Sequence, residues 1–378
     1  MNWGDRGYLV LSALNVKDGY IDKSIEAKYG CQELFDKWMG GNSLRKNDVV
    51  FTTEAPLGNV AQIPDNNGYI LNQRVVAFKT SPNAMDNNFL AQFLRSPLFQ
   101  NKLNANASGG TAKGISMKEF AKLSLYLPKD INEQRKIGTF LKTMDNTIAL
   151  HQRKLDALKQ MKKGFLQQLF PENGEKLPRV RFTGFQEEWE QRKLGDIGET
   201  FAGLSGKTKE DFGHGNAKYV TYMNVFSNPV SNHKMVESVE IDTKQQQVQY
   251  GDVFFTTSSE TPEEVGMSSV WLGNIKNVYL NSFCFGYRPT AVFAPYYLAF
   301  MLRSPILRKK FMLLAQGISR YNISKNKVMD IQVFIPALTE QKKIGACFQQ
   351  LDNTIALYQY KLDQLNILKK SCLQNMFT

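Results

Sequence analysis

The stretch MDNTIALHQRKL, residues 144–155, returns as LDNTIALYQYKL at residues 351–362, with nine of the twelve positions identical. A repeat at that interval makes the chain a duplication, and every other segment has to be read as one of two copies. Walking outward, Asp48 aligns with Asp252, Phe51-Thr52-Thr53 with Phe255-Thr256-Thr257, and Arg95-Ser96-Pro97 with Arg303-Ser304-Pro305. GISMKEFAKLSLYLPKDINEQRKIG (114–138) matches NISKNKVMDIQVFIPALTEQKKIG (322–345). The copies part at their start. The second opens with LPRVRFTGFQEEWEQRKLGDIGETFAG before KYVTYMNV, whereas the first begins at Met1 almost directly before YLVLSALNV.

Each copy predicts the same elements. Asp48–Thr53 and Asp252–Thr257 are apolar and β-branched, as strands are. Asn87–Leu103 and Pro295–Leu314 have helical apolar spacing, each interrupted by Ser-Pro. Ala121–Leu127 and Met329–Ile335 read as strands stopped by Pro128 and Pro336.

Around the opening stretch, apolar residues alternate at spacings of four and three. Ile137, Leu141, Met144, Ile148, Leu155 and Leu158 form the stripe in the first copy, and Ile344, Phe348, Leu351, Ile355, Leu362 and Leu365 in the second. A 3.5-residue period keeps a narrow stripe facing a partner helix, which is the seam of a coiled coil. Each apolar seam residue is worth roughly 1.5–3 kcal/mol when fully buried, so pairing outweighs helix propensity. Two such helices, with PENGEKLPRVRF (171–182) after the first, are expected to pair antiparallel about an internal pseudo-twofold. The competing reading is that each packs on its own domain as an ordinary amphipathic element. His151 and Lys162, with Tyr358 and Lys369 opposite them in the alignment, interrupt the apolar stripe. The lysines read as snorkelling or as fraying ends, and His151 as a solvated or hydrogen-bonded seam residue.

The totals suit a soluble globular chain: 378 residues, 42% hydrophobic, 22% charged. A net charge of +12 favours an acidic partner, nucleic acid ahead of membrane. No apolar run is long enough to span a bilayer and the N-terminus has no secretory pattern, so a cytoplasmic location is expected and no membrane partner. Four scattered cysteines and three histidines give no metal or disulfide framework. GLSGKT (203–208) lacks a phosphate loop's first glycine, because Phe201 occupies that place. Nothing marks an active site, and the chain reads as a binder.

Two similar modules suit a target with two similar parts, such as the half-sites of duplex DNA. The loops SGGTAKGIS (108–116) and QGISRYNIS (316–324) are equivalent, with small residues that permit close backbone approach. Thr111, Lys113, Ser319, Arg320, Tyr321 and Asn322 are the candidate base and phosphate donors, since Arg can fork onto guanine and Asn onto adenine. A solvated polar loop is the plainer alternative for each.

The Pro…Glu-Gln-x-x-Ile-Gly motifs, PKDINEQRKIG and PALTEQKKIG, each followed by a helix bearing DNTIAL, resemble the specificity subunit of type I restriction-modification systems. The segment LPRVRFTGFQEEWEQRKLGDI is similar to the start of a recognition unit in that family. The resemblance implies an α+β fold of two mixed α/β target-recognition domains separated by the two long helices. The ranges expected are 1–130 for a first domain that is N-terminally short and 131–170 for its helix, then 171–186 for a linker, 187–337 for the second domain and 338–378 for the second helix. It further implies a non-catalytic chain reading a bipartite double-stranded DNA site. Its partners would be methyltransferase (modification) subunits and a motor/endonuclease (restriction) subunit. S-adenosylmethionine, ATP and magnesium belong to those partners, and no cofactor to this chain. A coiled-coil scaffold without nucleic-acid specificity and an enzyme in its own right, nuclease or methyltransferase, are the other classes weighed.

Overall fold

The computed structural model describes residues 3–124, 126–172 and 174–377. It divides into one unit of Met1–Lys154 with Tyr358–Thr378 and another of Leu155–Leu357. The expected long helices are Ile131–Gln168 and Leu338–Asn375, so each unit holds a mixed domain and part of both.

In the first unit Val49–Thr52 is the central strand of a three-stranded antiparallel sheet, between Val60–Gln62 and Val75–Ala77. A second small sheet joins Tyr8–Leu11 in parallel to Tyr69–Leu71 and antiparallel to Tyr29–Gly30. The second unit repeats both. Val253–Thr256 lies between Ser268–Val270 and Cys284–Pro289, and Phe212–Val220 runs parallel to Val278–Leu280. It also has strands without a counterpart among the described residues of the first. Gly198–Ala202 adds to the edge of Cys284–Pro289, and Glu190–Lys193 pairs with Gln332–Ile335.

That difference corrects one expectation. Met329–Ile335 does yield a strand, but Ala121–Leu127 does not: its described residues have no strand assignment, and Leu125 lies outside the described set. A strand needs a neighbour for its N–H and C=O groups, and the described residues of the first unit put no strand in the place of Glu190–Lys193.

The Ser-Pro dipeptides end one helix and start another. Ser96 and Ser304 cap Pro97–Asn106 and Pro305–Leu314 through the amides of Phe99 and Leu307, with proline at the first helical position, where no N–H is required. The Glu-Gln motif joins each domain to its long helix. Gln134 donates to the Pro128 carbonyl (2.8 Å) and accepts from the amide of Asp86 (3.0 Å), the residue that caps Asn87–Leu94. Gln341 does the same with Pro336 (2.9 Å) and Ala294 (3.1 Å). One turn later a glycine allows backbone contact: a Cβ on Gly138 would lie 2.4 Å from the Phe89 nitrogen, and one on Gly345 2.8 Å from that of Tyr297.

Ile137, Leu141 and Met144 pack into the first unit's own core with Phe89 and Phe93 as well as with Cys372, Leu373 and Phe377 of the other helix. Leu141, Met144, Leu155, Leu158, Ile344, Phe348, Leu351 and Leu362 are buried, and Ile137, Ile148, Ile355 and Leu365 partly so. In the first unit His151 faces Tyr358 with ring centroids 5.5 Å apart, and in the second Phe170 stacks on Phe348 at 6.0 Å. The partners run in opposite directions along the two helices.

The two seam lysines neither snorkel nor fray. In the first unit Lys369 binds Asp145 at 2.5 Å, and in the second Lys162 binds Asp352 at 2.5 Å. Both aspartates are the Asp of the repeated DNTIAL. Going from Asp145 up to Lys162 takes seventeen residues, and so does going from Lys369 back down to Asp352, so both bridges belong to one antiparallel register. Asp145 also accepts from Arg95 (2.7 Å) and Gln92 (2.6 Å). Burial alone would raise its carboxyl pKa, but Arg95, Lys369 and Gln92 outweigh burial and hold it below the usual carboxylate range.

Replacing Asp145 by Asn leaves Arg95 and Lys369 without their shared carboxylate, and a cost of about 2 kcal/mol is expected in chemical denaturation of the full chain. Because the folded-state pKa is lowered, this stabilisation is complete above the unfolded value, near 4, and disappears as pH falls through the folded value. The stability gap between wild type and Asp145→Asn should be flat above about pH 5 and close on further acidification.

Candidate nucleic-acid interface

The two candidate loops are the same hairpin. Ser108 and Gly114 exchange both backbone hydrogen bonds at 2.9 Å, as Gln316 and Asn322 do at 2.9 and 2.8 Å. Gly109 and Gly317 have φ of +111° and +145°, and a Cβ there would lie 2.4 Å from the Ala112 oxygen and 2.0 Å from the Arg320 oxygen. The turn therefore closes only on glycine. Each hairpin is fastened to the central strand of its unit, by Ile115 N to Thr53 O (3.0 Å) and Ile323 N to Thr257 O (2.9 Å). The buried Thr52 and Thr256 hydroxyls brace the same strand ends, accepting from the amides of Asn59 and Met267 at 2.9 Å. That is the work of the repeated Phe-Thr-Thr.

On this common frame the exposed side chains differ. Thr111 and Lys113 project from the first hairpin; Ser319, Arg320 and Asn322 are exposed on the second, with Tyr321 half-buried. Tyr321 and Asn322 also pair as a short strand with Ser258 and Ser259. Structure thus places the predicted residues of each unit together on one loop.

It also adds residues that sequence reasoning missed. In the second unit Ser319 and Arg320 line a groove of about 450 Å³ with Tyr222, Met223, Phe226, Glu260 and Glu264. Tyr222 stacks on Phe226 and donates to the Ser258 carbonyl at 2.8 Å. The rim at Glu263–Gly266 is pinned by Arg308, whose guanidinium donates to the carbonyls of Glu263, Val265 and Gly266 at 2.6–2.8 Å, and burial lowers its pKa to about 10. Beside the hairpin the Thr257 amide donates to Phe283, and in the first unit the Thr53 amide donates to Arg74. These equivalent positions thus carry an exposed ring in one unit and a cation in the other. Arg74 reaches Glu54 at 3.3 Å, and both are about half exposed. No spacing in the sequence marks Arg74 or Phe283; only the backbone bonds from the last threonine of each Phe-Thr-Thr bring them to the hairpins.

The first unit offers Lys113 and Arg74 as cationic donors; the second offers Arg320 as a cation, Asn322 as an amide, and Met223, Phe283 and Ile318 as exposed apolar groups. Donors of this kind suit phosphates and the major-groove edges of bases, and apolar groups suit the thymine methyl.

The model of the type I restriction modification DNA specificity domain matches residues 25–160 and 186–366. The chain belongs to this family and carries its domain twice; it is a type I restriction-modification specificity subunit. It is 21% identical over 399 residues to the type I restriction enzyme MjaVIII specificity subunit of Methanocaldococcus jannaschii, covering 98% of this chain and 85% of that protein. It is 26% identical over 201 residues to the putative MjaX specificity subunit of the same organism, covering 51% and 46%. Among solved structures, the type I restriction-modification S subunit from M. genitalium superposes with a TM-score of 0.60 at 15% identity, covering 100% of this chain and 94% of that one. A chain solved in work on assembly and conformational transition of the type I R-M system superposes at 0.51 with 18% identity, covering 97% and 90%. These two likenesses show the fold. Among the described residues no helix is long and apolar enough to cross a membrane.

Replacing Gly317 by Ala should open the second hairpin at a local cost of about 1–3 kcal/mol. Hydrogen exchange at the Asn322 amide should then accelerate while the Gly114 amide of the first hairpin keeps its wild-type rate.

Proposed function

We propose that the chain is the non-catalytic reader of a bipartite duplex DNA site, with one unit for each half-site. The observation that carries this is the pair of hairpins, closed by equivalent backbone bonds and anchored alike, that present different side chains. A duplicated frame with divergent tips is what reading two unlike sequences by one method requires. The net charge of +12 supplies the phosphate attraction such binding needs. The paired helices, at 38 residues and about 57 Å each, serve as the ruler for the unread spacer.

The same helices dock the methyltransferase subunits in this reading. Support comes from apolar side chains that the seam leaves exposed: Phe140, Leu150, Tyr360, Ile367 and Leu368 in the first unit, Met161 and Leu357 in the second. The methyltransferase subunits bring S-adenosylmethionine, and a restriction subunit brings ATP- and magnesium-dependent chemistry. The assembly acts on DNA in the cytoplasm.

The test is a selection from randomised duplexes with the chain and its methyltransferase partner, which should return two short sequences at one spacing. Arg320→Ala should then weaken binding about 10- to 100-fold and relax preference in one half-site only, and Lys113→Ala should act on the other half or on phosphate affinity. Adding one base pair to the spacer should also cost affinity. A pool without sequence preference would refute the reading.

A further inference from the structure

In each unit the central strand runs into a loop that returns to it by one backbone bond. Gly58 donates to Thr52 at 2.9 Å in the first unit, and Gly266 donates to Thr256 at 3.1 Å in the second. Five residues lie between these partners in the first unit and nine in the second, so the second loop is four residues longer. It carries Glu260, Glu263 and Glu264.

The closing glycine is held from equivalent helix positions, four residues past Ser96 and Ser304. Gln100 donates to the Gly58 carbonyl at 2.9 Å, and Arg308 donates to that of Gly266 at 2.6 Å. Arg308 also takes the carbonyls of Glu263 and Val265, so the backbone of the longer loop is clamped on both sides of Glu264. The Glu264 side chain is held as well. Its Oε2 accepts from the Ser259 hydroxyl at 2.8 Å, and Ser259 is 9% exposed.

Among the described residues no cation is paired with Glu264 or Glu260, although Arg320 lines the same groove. The shorter loop of the first unit has one carboxylate, Glu54, and Arg74 covers it at 3.3 Å. On a face that attracts phosphates, an uncovered carboxylate weakens binding wherever it meets the DNA backbone. It is favourable only opposite a hydrogen-bond donor. The donors on base edges in the major groove are the exocyclic amines, cytosine N4 and adenine N6, whereas a guanidinium matches guanine N7 and O6. A carboxylate and a guanidinium lining one groove complement the two halves of a G·C pair.

We propose that Glu264 is a specificity-determining residue of the second unit, accepting from the exocyclic amine of a base in the half-site that this unit reads. Cytosine N4 fills that place when Arg320 takes the guanine paired with it, and adenine N6 is the other source of the same donor. The clamp explains why the loop is long and yet held: a carboxylate discriminates between bases only if it cannot swing away to solvent. This rests on the DNA-reading role and adds to it the chemistry of one base.

The experiment uses the full chain with its methyltransferase partner and the duplex that selection returns, in the half-site that Arg320→Ala relaxes. Each cytosine there is replaced in turn by 2-pyrimidinone and each adenine by purine, which removes one amine at a time, and affinities are compared for wild type and Glu264→Gln. Glutamine can still accept from Ser259, so the loop keeps its bond. One amine should be worth about tenfold or more to wild type and about twofold or less to the variant, and its base shows whether cytosine or adenine is the source. Preference in the other half-site should not change. Comparing two proteins on one duplex cancels any change in the duplex itself. The proposal alone is overturned if no amine matters, if its loss costs both proteins equally, or if Glu264→Gln strengthens binding to every sequence alike. A selected pool without sequence preference overturns the DNA-reading role together with it.

Discussion

Two ion pairs, Asp145 with Lys369 and Asp352 with Lys162, set the frame on which the rest of the structure depends. An apolar seam gives the helices a reason to pair but tolerates sliding by a heptad, because one leucine fills a hole much as another does. A charge at a single seam position does not tolerate it. Shifted by a turn, each aspartate would lose its cation, and separating a half-buried pair costs more than separating an exposed one. Because the chain is duplicated, the same Asp and the same Lys appear on both helices, and antiparallel pairing satisfies both bridges at once. Parallel pairing would set Asp against Asp and Lys against Lys.

From that frame the hairpins follow by short connections. The Glu-Gln motif ties each long helix to its domain through a proline carbonyl and a helix cap, with a glycine admitting backbone contact one turn later. The central strand, braced by a buried threonine hydroxyl, carries the hairpin on its last threonine. None of these joints involves a side chain that reaches outward, so the outward-facing residues are free to differ. Arg74 against Phe283, and Ala112-Lys113 against Arg320-Tyr321, are the result.

Most of the architecture was legible in the residues because a duplicated sequence is its own alignment. The four-three spacing showed the stripe, and the loops showed in their equivalent places ahead of the two Pro…Glu-Gln motifs. Lys162 and Lys369 were misread as snorkelling because helical periodicity shows which residues share a stripe and not what faces them; the partner aspartates lie nearly two hundred residues away or more. The expected strand at Ala121–Leu127 failed because propensity is local and pairing is not: the apolar pattern is present, and the neighbour is missing. Tyr222, Phe226, Phe283 and Arg74 escaped notice because they reach the hairpins from other elements, through pairings such as Thr257 with Phe283 that no spacing reveals.

The central claim, one antiparallel register fixed by reciprocal charge pairs, is tested most directly by disulfide trapping. In a chain with Cys31, Cys347 and Cys372 replaced by serine, His151→Cys with Tyr358→Cys should cross-link rapidly within one chain under mild oxidation. The same His151→Cys with Leu365→Cys, one heptad away, should not. Equal trapping of both pairs, or trapping only of the displaced one, would contradict the account.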